Sequence, residues 1–174
     1  MQKYAAFLRA INVGGHTVKM DALRGLFEAL GFAGVETFIA SGNVIFEAQS
    51  DDASALEREI ETHLRENLGY EVATFIRTLP ELTDIAHCQP FPAADAGLYV
   101  AFLAETPSDE GKQKVLALAS PVDSFHISGR ELYWLCRVKS HESAFSGAVL
   151  EKTLGMKATL RNNTTIQKMA AKFT

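Results

Sequence analysis

The sequence predicts an α+β fold built from two tandem β-α-β-β-α-β halves. Three observations carry that expectation. Short apolar runs and amphipathic stretches follow one another in the order β-α-β-β-α-β, and then do so again. Residue identities recur in the same order in the two copies. The 174 residues suffice for one domain or for two small ones. A chain of that size buries about 70% of its unfolded surface, so no disulfide or metal is needed to hold it.

The first copy opens with an apolar run over residues 4–11 that reads as a buried strand, with Arg9 as its one charge. Asn12, Val13, Gly14 and Gly15 break it. Residues 21–30 are helical, because Leu23, Leu26, Phe27 and Leu30 form one apolar stripe, and Gly31 ends the helix. Strands are expected over 35–40 and 43–48, joined at the hairpin signal Ser41-Gly42. A second helix over 51–67 carries Leu56, Ile60, Leu64 and Leu68, with Asp51 or Asp52 as N-cap and Gly69 at its end. Residues 72–78 form the fourth strand.

The second copy repeats the order. Strands are expected over 98–104, 124–127, 131–137 and 157–162, with Ser128-Gly129-Arg130 turning the middle pair. Helices are expected over 109–119 and 143–154, the latter ended by Gly155. Residues 80–87 read as a connecting helix and 164–173 as a terminal helix, both outside the repeat. Asn163 or Thr164 would cap the latter. The echoes are Tyr4 to Leu8 with Tyr99 to Leu103, Ser41-Gly42 with Ser128-Gly129, Leu64 to Gly69 with Leu150 to Gly155, and Ala73-Thr74 with Ala158-Thr159. Duplication of a split β-α-β unit accounts for them. The resulting organisation is a first ferredoxin-like half over 1–79, a connecting helix and linker over 80–97, and a second half with the C-terminal helix over 98–174. The sheets are antiparallel, and the halves are able to form one compact unit.

Composition narrows the function classes. Apolar residues make up 47% and charged residues 22%, values of an ordinary globular chain. The net charge of −4 argues against a non-specific nucleic-acid binder, which carries a strongly basic face. No run of about 20 apolar residues and no signal-peptide pattern is present, so a cytoplasmic location and no membrane partner are expected. The two cysteines, Cys88 and Cys136, form no C-x-x-C pair. Cys136 reads as a buried small hydrophobe, and Cys88 beside His87 reads as structural rather than nucleophilic.

No metal-ligand spacing, no G-x-S-x-G elbow and no cofactor fingerprint occurs, and no metal or cofactor is expected. The acids Asp51-Asp52 and Glu57, Glu59 and Glu61 read as a solvated helix face. Phe7, Phe75, Phe102 and Tyr133 read as core rather than as base-stacking aromatics.

Arg9-Ala10-Ile11-Asn12-Val13-Gly14-Gly15, then Lys19-Met20, then Ser41-Gly42-Asn43-Val44 resemble a bacterial family known as domain of unknown function 1697. Gly129 to Tyr133, and Arg161-Asn162 ahead of Thr164-Thr165, extend the resemblance over essentially the whole chain. It implies an α+β fold of two ferredoxin-like halves, with no established activity, cofactor or substrate. The chain departs from the family pattern at His16-Thr17, Ala144 and Asn163, where asparagine, lysine and tryptophan are common.

One polar constellation points to binding. A glycine-rich turn after a strand can present backbone N–H groups to an anion, and Arg9 can add a bidentate donor. The expected site is Arg9, Asn12, Gly14, Gly15 and Lys19, with Arg161 and Asn162 from the second half. His16 could add charge. The spacing matches neither G-x-G-x-x-G nor a P-loop. The leading expectation is a non-catalytic or regulatory protein that binds a small anion. An enzyme acting on a phosphorylated or carboxylated metabolite in the same pocket, with His16 as acid or base, is the first alternative. A module that pairs an exposed sheet edge with a partner is the second. Whether the chain is an enzyme, and its oligomeric state, are not legible at this level.

Overall fold

A computed structural model describes residues 1–12, 14–39, 42–92 and 96–174. Two compact units emerge, Met1–Thr83 with Phe173–Thr174, and Asp84–Lys172. In the first unit β1 (Gln2–Leu8), α1 (Met20–Glu28), β2 (Ala33–Thr37), β3 (Asn43–Ala48), α2 (Ala53–Leu68) and β4 (Thr74–Thr78) follow in order, and α3 (Leu79–His87) leads out. In the second, β5 (Gly97–Leu103), α4 (Asp109–Leu116), β6 (Asp123–Ser128), β7 (Glu131–Cys136), α5 (Gly147–Leu154) and β8 (Ala158–Asn162) precede α6 (Asn163–Phe173). Each unit holds a four-stranded antiparallel sheet, ordered β2-β3-β1-β4 and β6-β7-β5-β8. The α+β class and the ferredoxin-like layout of each half are therefore as the sequence indicates.

The cores explain the strands. Tyr4, Ala6, Leu8, Val44, Phe46 and Ile76 pack with Leu23, Phe27, Leu56, Ile60 and Leu64 of α1 and α2. Ala101, Leu103, Leu132 and Trp134 do the same with Val115, Phe145 and Leu150. The residues alternating with these, Ala5, Phe7, Ile45 and Phe75, are equally buried, as are Val100, Phe102 and Tyr133. Burial on both faces is why the central strands read as continuous apolar runs.

The two sheets share one register. Ala5 pairs with Ile45 and Arg77, and Val100 pairs with Tyr133 and Arg161. Two of the expected echoes shift by one residue on this frame. Thr74 lies opposite Leu8 and Ala158 opposite Leu103, so Thr74 corresponds to Ala158 and not to Thr159. The carbonyl of Gly42 accepts from Leu8 N and that of Arg130 from Leu103 N, both at 2.9 Å, so Gly42 corresponds to Arg130. The hairpins differ in length, which is how the Gly42 shift arises. Ser128 pairs with Glu131 across a two-residue turn, whereas the first connection runs from Phe38 to Gly42. Ser41 and Val13 lie outside the described residues.

The duplication reaches further than the echoes indicate. Counting on from Arg77 and Arg161, Thr78 corresponds to Asn162, and Leu82, Ile85 and Ala86 to Ile166, Met169 and Ala170. All six apolar residues are buried. Thr78 forms a capping box with Glu81: Glu81 N donates to Thr78 Oγ1 at 3.2 Å and Thr78 N to Glu81 Oε2 at 2.7 Å. Asn162 Oδ1 accepts from Thr164 N at 2.9 Å, so Asn162 caps α6 in place of Asn163 or Thr164. Helices α3 and α6 thus belong to the repeat, which reads β-α-β-β-α-β-α.

Candidate functional site

Five expected site residues gather on one loop of the first unit. Arg9 lies just past β1 rather than inside a strand, because Ala10 turns the chain with a φ of 56°. Arg9 is half-buried and its N–H donates to Ala73 O at 2.9 Å. The side chain of Asn12 is engaged locally, its Oδ1 accepting from Val18 N at 2.6 Å. Tyr70 donates its hydroxyl to Ile11 O at 2.9 Å and stacks on His16 with centroids 3.7 Å apart. Gly14 and Gly15 are exposed and both left-handed, with φ of 64° and 84°. An anion nest alternates right- and left-handed residues, so this glycine pair does not make one. Lys19 is exposed at the N-cap of α1.

Arg161 and Asn162 lie in the second unit, on a cavity of about 370 Å³. That is within the size range of small-molecule sites. Its wall is aromatic: Trp134 packs against Tyr99 and Phe145, with centroids 4.9 Å apart in each pair. Leu160 completes the apolar side, and Ser140, His141, Ser146 and Gly147 form the rest of the lining. The wall is held by a polar network that sequence reasoning missed. Asp123, nearly buried, accepts from Trp134 Nε1 at 2.8 Å and from Ser143 Oγ at 2.7 Å. Ser143 Oγ in turn accepts from Phe145 N at 3.0 Å. Residues 143–146 were expected to be helical; this network draws them into an extended strap instead, and α5 starts only at Gly147. The sequence carries only a lone acid, Asp123, two positions before Phe125, and its burial is seen in the structure alone.

Arg161 is 8% exposed, and its Nη1 donates to Thr159 Oγ1 at 2.8 Å and Leu160 O at 2.9 Å. Arg77, its repeat counterpart, is wholly buried and likewise donates to the carbonyl of the preceding residue, Ile76, at 2.9 Å. Burial pulls the Arg161 guanidinium down to about 10, so it stays cationic at neutral pH.

The edge strands differ between the units. Along β4 the outward amides of Thr74, Ile76 and Thr78 each meet a carboxylate: Glu61 at 2.9 Å, Glu57 at 2.9 Å and Glu81 at 2.7 Å. Glu57 and Glu61 are thus not a solvated face; they close a sheet edge that would otherwise invite strand pairing. Along β8 only Ala158 N is met in this way, by Glu151 at 3.2 Å. The amides of Leu160 and Asn162 alternate with it and face the same side. Among the described residues no carboxylate meets either. Also among the described residues, no group of three or more His, Cys, Asp or Glu could hold a metal ion. No helix there is long and apolar enough to cross a membrane.

Fold and site together define a duplicated ferredoxin-like protein whose second unit carries an aromatic-walled cavity lined in part by Arg161. The chain belongs to the family described as protein of unknown function DUF1697, whose model matches residues 1–133. Arg161 and Asn162 lie beyond the matched part. Among curated proteins none matches the chain. Among solved structures it is similar to a conserved bacterial protein from Streptococcus pneumoniae, at 21% identity and a TM-score of 0.77. That likeness covers 98% of this chain and 97% of the other, and it shows the fold.

Proposed function

We propose that the protein binds a small anion, without chemistry of its own, in the cavity of the second unit. The observation that supports this reading is a mostly buried arginine, Arg161, among the residues lining an aromatic-walled space of about 370 Å³. A mostly buried cation is screened less by salt than one at the surface. The N-terminal end of α5, at Ser146 and Gly147, borders the same space and adds a partial positive charge. A cytoplasmic site of action is part of the reading and fits two free cysteines, Cys88 and Cys136.

The test is thermal denaturation against inorganic phosphate, sulfate, nucleotides and organic carboxylates at matched ionic strength. A ligand at ~100-fold its dissociation constant adds about 2.7 kcal/mol, which raises Tm visibly. Asn162→Asp is the control. Aspartate keeps the α6 cap but brings a negative charge to the cavity. The expected result is a shift with some anions that Asn162→Asp abolishes. Absence of any shift, or shifts equal in the variant, would refute the reading.

A second reading puts the anion on the first-unit loop of Arg9, Asn12, Gly14, Gly15 and Lys19. It is favoured by local strain: Ala10 and Ile39 both hold a left-handed φ of 56°. Such strain concentrates at functional sites. A shift lost in Lys19→Glu but kept in Asn162→Asp would select it.

A further inference from the structure

The contrast between the two edge strands says what kind of anion the cavity takes. In the first unit the chain supplies its own carboxylates to the outward amides of Thr74, Ile76 and Thr78. The corresponding amides in the second unit are those of Ala158, Leu160 and Asn162, by the shared register. The residues that would carry the carboxylates are replaced. Counting back from the helix-ending glycines Gly69 and Gly155, Gly147 stands where Glu61 stands and Ser143 where Glu57 stands. Counting on from Arg77 and Arg161, Thr165 stands where Glu81 stands. Glu151 restores one partner, at Ala158. The two amides left over, Leu160 and Asn162, belong to residues that line the cavity.

Helix α2 runs sixteen residues and α5 only eight. The missing turns of α5 are the ones that carry Glu57 in the first unit, and the cavity opens in the second unit beside that stretch of β8.

We infer that this cavity binds an organic carboxylate with a flat apolar body, the carboxylate taking the amide of Leu160 as Glu57 takes that of Ile76. The inference rests on the reading of the cavity as an anion site and names its ligand class. The body lies against Trp134, Tyr99 and Phe145. Arg161 lines the same space, and the Leu160 amide supplies direction. One carboxylate oxygen accepts the Leu160 N–H, and charge assistance makes such a bond about twice as strong as a neutral one. An aromatic body is selected because the wall is a rigid aromatic cluster tied to Asp123.

Trp134 is the single tryptophan of the chain and part of the wall, so its fluorescence reports occupancy directly. The probes are phenylacetate, its neutral isostere phenylacetamide, acetate and inorganic phosphate. Phenylacetate is expected to change Trp134 emission saturably, with phenylacetamide and acetate each at least about tenfold weaker, the loss of one charge-assisted bond. Asn162→Asp should weaken phenylacetate by the same factor while leaving Tm unchanged. Gly147→Met, which fills the space beside Leu160, should abolish the signal. Equal binding of phenylacetate and phenylacetamide would overturn the inference. So would phosphate binding without phenylacetate binding, an outcome that leaves the anion site standing. Absence of binding by every anion would remove both.

Discussion

Gly42 offers a direct measure of how tightly the two loops at the end of β1 are packed. Its φ is 76°, and a Cβ there would stand 2.9 Å from Ile11 Cγ2 and 3.1 Å from Leu8 Cβ. Both neighbours are at most 2% exposed, so neither has room to withdraw. Gly42→Ala therefore pays a left-handed backbone penalty of roughly 1–2 kcal/mol. It adds an overpacking term of roughly 1–3 kcal/mol. Gly129 separates the two. Its φ is 58°, but the nearest atom to a built Cβ is Glu131 Oε2 at 3.7 Å, so Gly129→Ala carries the backbone term alone. The assay is urea and thermal unfolding of both variants followed by far-ultraviolet circular dichroism. Gly42→Ala should lose about 2–5 kcal/mol, or about 4–20 °C in Tm at the sensitivity of a chain this long. Gly129→Ala should lose roughly 1–2 kcal/mol. Equal losses would show that the Ile11 and Leu8 contacts yield freely, and the argument would fail.

Two further perturbations test other parts of the structure. Replacing Glu57 and Glu61 together by alanine strips the amides of Ile76 and Thr74 of their acceptors, at about 1–3 kcal/mol each. It also opens the β4 edge, so concentration-dependent self-association should appear by sedimentation; a variant that stays as stable and as dispersed as the parent would refute the edge-closing role. Tyr133 bears on pH. Burial first, then its hydrogen bond with Cys88 and the nearby Glu131 and Asp84, raise its phenol far above the ordinary value near 10. Tyr4 and Tyr70 are also raised, chiefly by burial. Above pH 10 the unfolded chain loses these protons while the fold keeps them, so stability is complete below pH 10 and falls as pH rises. Tyr133→Phe should flatten that fall between pH 9 and 11 in urea midpoints, at small cost, since the hydroxyl reaches Ile85 O only at 3.4 Å. An unchanged slope would contradict the assignment.

The sequence by itself determined the element order, the duplication and the membership of the family. Those rest on local signals. Apolar periodicity marks each strand and helix, and Gly69 and Gly155 stop α2 and α5 at equivalent points with left-handed φ. Only the tertiary structure decided which polar residues share a site. Arg9 and Asn12 stand at a conspicuous glycine turn, yet the Asn12 carbonyl is spent on Val18 N. Glu57 and Glu61 have the pattern of a wet helix face, yet strand register places two amides within their reach. Arg161 is one charge in a short strand on the page, and its equivalence to Arg77 shows only when both are paired against β1 and β5. The physical reason is common to all three. A periodic pattern is written by neighbours in the chain, whereas the partner of a polar group is set by register and burial, which neighbours in the chain do not encode.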